Sequence, residues 1–145
     1  ILRGIFLGRQ QDVDWIYEAG GASRMFSDYW KTFQKPLLHT DAEATGQMVN
    51  HFYNLLCGAD KLKRLAAAKA WAKWEGSIAT LDPNPHLLGS VADSHFALAL
   101  ARIECHYFVN QCFLEPNQLL ENMHKISHLP GIVVHGRYDM ICSSE

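Results

Sequence analysis

Hydrophobic positions fall into two short continuous runs with a long stretch of helical periodicity between them. The first run, Ile1-Leu2-Arg3-Gly4-Ile5-Phe6-Leu7, closes at Gly8; the second, Ile132 to Val134, follows Pro130-Gly131 and breaks at Gly136. Runs this short, apolar on successive residues, predict buried strands of a parallel sheet. Arg3 is the exception and needs a partner or an exit to water. Between the runs, Gln10 to Tyr17 predicts a short helix ended by Gly20-Gly21, and Phe26 to Phe33 an aromatic one stopped by Pro36. Thr45 to Cys57 places Met48, Phe52, Leu55 and Leu56 on one helix face, with Gly58 as its C-terminal stop. Asp60 then caps a longer helix that runs through an alanine-rich middle to Trp71, Trp74 and Glu75. Asp82-Pro83-Asn84-Pro85 is a break. Ala92 to Asn110 follows, with Phe96, Leu100, Ile103 and Tyr107 as its apolar face, and Asn117 to His124 is the last helix. The chain therefore divides into a strand segment (1–8), a helical segment (9–129) and a second strand with its loop (130–145). A helical insertion between strands is the arrangement of a cap over an active site.

Composition adds mainly exclusions. The 145 residues suffice for a real core, and 48% hydrophobic with 19% charged residues is the balance of a soluble globular protein. A formal charge of −2 provides no basic field for nucleic acid. No apolar run approaches the ~20 residues of a membrane span, and no signal peptide opens the chain. Cys57, Cys105, Cys112 and Cys142 form no CxxC pair, which favours free thiols in a cytoplasmic protein. The chain begins at Ile1, without methionine, on a strand-like run, and stops in Ser143-Ser144-Glu145. Sheet elements at both ends would leave edge groups unpartnered, so we expect an internal piece of a longer protein.

Three carboxylates carry the candidate chemistry. Asp139 follows the second strand by a few residues, where the loops of open α/β sheets hold their working groups. It is either a turn former or the acid that orients a histidine in a Ser-His-Asp relay. Glu75 lies one turn past Trp71, about 40° around the helix, and so borders the tryptophan face. Glu104 shares its stripe with Ala97, Ala101 and Phe108. Carboxylates on apolar stripes are costly unless paired. They are either salt-bridged to Arg3, Arg64 or Arg102, or they converge on a cationic ligand group such as a protonated amine. His124 and His128 are four apart, but no acidic third ligand has matching spacing, so no metal site is expected. No G-x-S-x-G and no glycine-rich phosphate loop occur, so no nucleophile and no cofactor site are assigned.

Several motifs coincide with one family. Leu2-Arg3-Gly4-Ile5-Phe6, Gly21-Ala22-Ser23-Arg24, Trp71-Ala72-Lys73-Trp74-Glu75-Gly76, Ala99-Leu100-Ala101-Arg102-Ile103-Glu104 and Val134-His135-Gly136-Arg137-Tyr138-Asp139-Met140-Ile141-Cys142 resemble the prolyl iminopeptidases, serine peptidases of the α/β-hydrolase fold. The resemblance covers essentially the whole chain in the right order. It implies that Asp139 is the triad aspartate. It implies that Glu75 and Glu104 bind the free α-amino group of an N-terminal proline, with Arg3 nearby. Phe6 and Cys142 match positions lining the proline-ring pocket. Ile16 falls where some members carry a tyrosine. The nucleophilic serine with its oxyanion glycines would precede Ile1, and the triad histidine would follow Glu145, so the 145-residue chain is expected to be inactive. The implied partner is a peptide with a free N-terminal proline. Other readings are a different capped α/β-hydrolase, such as an epoxide hydrolase or esterase, and a non-catalytic helical binding module.

Overall fold

Asp60 opens the longest helix as its side chain predicts. The carboxylate accepts from the amides of Leu62 (2.9 Å) and Lys63 (3.1 Å), which satisfies two of the donors left free at a helix start. The computed structural model describes residues 1–38, 47–82, 84–86, 89 and 93–142. Seven helices and two strands are described: β1 (Leu2–Arg3), α1 (Gln10–Tyr17), α2 (Ala22–Met25), α3 (Ser27–Phe33), α4 (Met48–Cys57), α5 (Lys61–Ile78), α6 (Ser94–Val109), α7 (Gln118–Glu121) and β2 (Val133–Val134). Three short 3₁₀ turns, Lys35–Leu37, Gln111–Phe113 and Met123–Lys125, lie between them.

The core sits where α4, α5 and α6 pack on one another, with α3 against α5. Its large, fully buried side chains are Trp71, Trp74, Tyr17, Phe33, Phe52, Leu37, Leu56 and Ile78. Phe33 and Phe52 stack at 4.5 Å between ring centroids, and Trp30 meets Trp74 edge-on at 5.2 Å. α5 and α6 pack on each other and both bury small residues: Ala67, Ala68 and Ala72 on one helix, Ala97, Ala101 and Cys105 on the other. Small side chains let two helix backbones approach closely. This corrects the face expected for α6. Phe96, Ile103 and Tyr107 are about half exposed, and the alanine stripe that carries Glu104 is the one turned inward.

Other expectations shift as well. The first apolar run pairs only through Leu2 and Arg3, parallel to Val133 and Val134, and Leu2 N–H also donates to the Ile132 carbonyl. The strands, expected to be buried, are exposed: Leu2, Val133 and Val134 each show more than half of their surface, because no layer of the described residues covers either face. Gly58 ends α4 in an extended conformation (φ −66°, ψ 160°) rather than the left-handed one expected of a terminating glycine. The expected start of α4 at Thr45, that of α6 at Ala92, and Pro83 of the break lie outside the described residues. The last expected helix is only the four residues of α7; His124 falls in a 3₁₀ turn with its Nδ1 against the Glu121 carbonyl, so His124 and His128 share no helix.

Candidate active site

Gly21-Ala22-Ser23-Arg24 makes the turn that buries the end of α1. A Cβ on Gly21 would lie 2.1 Å from the Trp15 carbonyl oxygen, so only glycine permits this approach. The Ser23 hydroxyl accepts from the Gly20 amide at 2.9 Å and, with Ala22, is buried. From the other side, the indole N–H of Trp74 donates to the Ile16 carbonyl at 3.1 Å, clamping α1 onto α5. Glu18 continues the clamp by accepting from the Met48 amide at 2.7 Å, at the start of α4. Tyr17, with no exposed surface, is thereby laid flat on Trp71 at 4.2 Å between ring centroids.

The two glutamates meet at this stack. The Tyr17 hydroxyl donates to Glu75 Oε1 and the indole N–H of Trp71 donates to Glu104 Oε2 at 2.7 Å, so the stacked rings hold the two carboxyls close enough for each to act on the other. Burial, then the Glu104 charge, pushes the Glu75 carboxyl up to about 8, and burial also raises that of Glu104. Burial and the two neighbouring acids hold the Tyr17 phenol well above its usual range, so it stays a donor. None of the proposed arginines forms an ion pair with either acid; among the described residues the ion pair found is Arg9–Asp12, at 2.7 Å. Arg64 instead donates to the Gly58 carbonyl. The salt-bridge alternative is thus replaced by a tyrosine and a tryptophan.

An aromatic wall connects the acids to Phe6. Phe108, one turn beyond Glu104, lies 5.4 Å from the Tyr17 ring and 6.4 Å from that of Trp71, and meets Phe6 edge-on at 5.9 Å. Phe6 then lines a cleft of about 480 Å³ together with Trp15, His135, Ile141 and Cys142. Burial and the Asp139 and Asp12 charges raise the Cys142 thiol. Arg3 is exposed and lines a groove with Phe6, Leu119, Met123 and Ile126.

Asp139 sits in the loop after β2. Its Oδ1 accepts from the amides of Ile141 (3.1 Å) and Cys142 (2.8 Å), which is the turn role expected of it. The loop is also held by the Trp15 indole on the Met140 carbonyl (2.8 Å) and by His135 Nε2 against the Cys142 carbonyl (2.7 Å). Its Oδ2 carries no hydrogen bond from the described residues, so the turn leaves one carboxylate oxygen to accept another donor.

Sequence reasoning missed Tyr17. It placed the tyrosine slot at Ile16, which is buried in the core with its carbonyl taken by Trp74. Adjacent helical residues differ by about 100° in direction, so Ile16 and Tyr17 cannot serve the same wall. The available signal was two acids lacking a donor and a tyrosine one residue away.

The chain is 44% identical over 143 residues to a probable proline iminopeptidase of Leptolyngbya boryana, and 43% and 42% identical over the same length to proline iminopeptidases of Xanthomonas citri and Arabidopsis thaliana. Its near relatives are proline iminopeptidases. These matches take in 98% of this chain but only 43%, 44% and 37% of the relatives, so it spans less than half of their length. No family model matches it. The resemblance read from the five motifs is borne out, and the relatives imply an α/β-hydrolase, with which a mostly helical chain holding two parallel strands is compatible. Among the described residues, no helix is long and apolar enough to cross a membrane.

Proposed function

We propose that this chain forms the helical cap, with its flanking strands, of a cytoplasmic serine aminopeptidase that releases N-terminal proline from peptides. The observation that carries the reading is a pair of desolvated carboxyls brought together by Tyr17 and Trp71, with no ion pair to either one among the described residues. Such a pair is costly on its own and is relieved by a bound cation. A protonated N-terminal proline is a secondary ammonium with two N–H groups, one for each of Glu75 and Glu104. The ring would then pack at the aromatic wall that ends in Phe6, with Cys142 across the cleft.

Asp139 is assigned as the triad acid. One oxygen holds its loop and the other accepts from the histidine Nδ1–H, keeping that ring in the tautomer that takes the serine proton. The serine attacks the prolyl carbonyl, the peptide leaves as the histidine returns the proton, and water hydrolyses the prolyl-enzyme. Serine and histidine lie outside residues 1–145 in this reading, so the isolated chain has no turnover. Arg3 is assigned no contact with the amine here. Epoxide hydrolases and esterases with caps have no need of two acids at the substrate, nor has a non-catalytic module.

The test compares free and N-acetylated proline arylamides with the full-length protein. Acetylation removes the cation and leaves two carboxylates facing a neutral amide, so the free substrate should be turned over and the acetylated one rejected. Equal turnover of the two would end the amine-recognition reading.

A further inference from the structure

Two carboxyls held side by side out of water share a proton more readily than they carry two negative charges. Glu75 and Glu104 are in that relation, with Tyr17 donating to one and Trp71 to the other. Among the described residues, no ion pair relieves the repulsion between them. α1 contributes the neutral phenol of Tyr17. α6 contributes Cys105, buried and held far up its range by burial and by the two acids, hence uncharged. α3 and α4 present the rings of Phe33 and Phe52 to Trp71.

We propose that the free site stores one proton between Glu75 and Glu104, that a cationic amine enters by displacing it, and that Tyr17 sets how readily the proton leaves. The inference rests on the amine-recognition reading above and adds its proton balance. The Glu75···H···Glu104 hydrogen bond breaks, the proton goes to solvent, and two N–H···O bonds form between the ammonium and the two carboxylates. The carboxyl O–H bond is exchanged for an O–H or N–H bond to water or buffer base, and one proton is released for each cation bound. Tyr17 acts as a positioning residue: its hydroxyl stabilises the ionised form of Glu75 and so favours release.

The probe is prolinol, an uncleavable cationic secondary amine, titrated calorimetrically into the full-length protein at pH 6.5 in buffers of different ionisation enthalpy. The expected slope is about one proton released per prolinol bound. The dissociation constant should tighten about tenfold per pH unit from pH 6 upward and level off near the titration of the pair. Tyr17→Phe should move that levelling pH upward by about half to one unit, since removing a donor makes the pair hold its proton more firmly. Glu104→Gln should still bind prolinol but release less than one proton, because the Glu104 charge no longer helps burial to hold the proton on Glu75; a slope unchanged from the wild type would show that the two acids share no proton. A role of Tyr17 in packing alone would leave the pH profile of Tyr17→Phe in place. Binding whose enthalpy does not depend on buffer overturns the displacement while leaving amine recognition standing. No binding of prolinol overturns both.

Discussion

Replacing Glu75 by glutamine should make the protein more stable and less active at the same time. Folding raises the Glu75 carboxyl from 4.5 to about 8, chiefly by burial. An acid whose folded pKa is raised binds more protons in the native state, so stability falls as pH rises from about 4.5 to about 8 and is flat outside that window. At pH 7 the chain has climbed two and a half units into the window, at about 1.4 kcal/mol each, for a penalty of up to about 3 kcal/mol. Glu75→Gln removes the titration. Its carbonyl oxygen still accepts from Tyr17, and its amide can donate to Glu104, so no buried group is left unpartnered. Thermal unfolding of both full-length proteins from pH 5 to pH 9 should show equal stability near pH 5. By pH 8 the variant should be ahead on the order of 5 °C. Over the same range kcat/KM on a proline arylamide should fall ten- to a hundredfold, the effect of losing a desolvated charge-assisted bond worth ~1.5–3 kcal/mol. A variant that melts lower at pH 8 with unchanged kinetics would show that Glu75 is a structural residue and refute the argument.

Three further outcomes follow from the geometry. Asp139→Asn keeps an oxygen for the Ile141 and Cys142 amides, so melting and KM should barely move while kcat drops by roughly three to four orders of magnitude; a variant keeping most of its kcat would leave Asp139 only its turn. Trp15→Phe loses the 2.8 Å bond to the Met140 carbonyl and should lower stability by about 1 kcal/mol in denaturant titration, with a several-fold loss in kcat from the loosened Asp139 loop; unaltered kcat would mean that Asp139 holds the loop unaided. Asp60→Ala removes the cap of α5 and should cost about 1 kcal/mol of stability with kinetics unchanged, since the cap lies four turns from Glu75; a kinetic effect would mean that α5 moves as a rigid body with its N-terminus.

Local chemistry was legible in the sequence. The bounds of α1, the Asp60 cap and the stop after Phe33 all depend on signals a few residues apart: Asp12 and Asp60 accept from nearby backbone amides, and Pro36 cannot donate to continue a helix. Glu75 and Glu104 were also visible, because a carboxylate at helical spacing from tryptophan or alanine is costly without a partner, whatever the fold. Those partners were not visible. Tyr17 reaches Glu75 across 58 residues of sequence and Trp71 reaches Glu104 across 33, contacts fixed by how α1, α5 and α6 pack. The same packing chose the face of α6. Periodicity favoured the bulky stripe through Phe96, Leu100, Ile103 and Tyr107, but Ala97, Ala101 and Cys105 are the fully buried residues of α6, Leu100 is only partly buried, and the other three large side chains are about half exposed. Hydrophobicity along a helix shows which stripes could be buried; which stripe is buried depends on the shape of the helix it meets. At Asp139 the sequence left two roles open, and the tertiary structure made them compatible by placing one carboxylate oxygen on the loop amides and leaving the other clear of them.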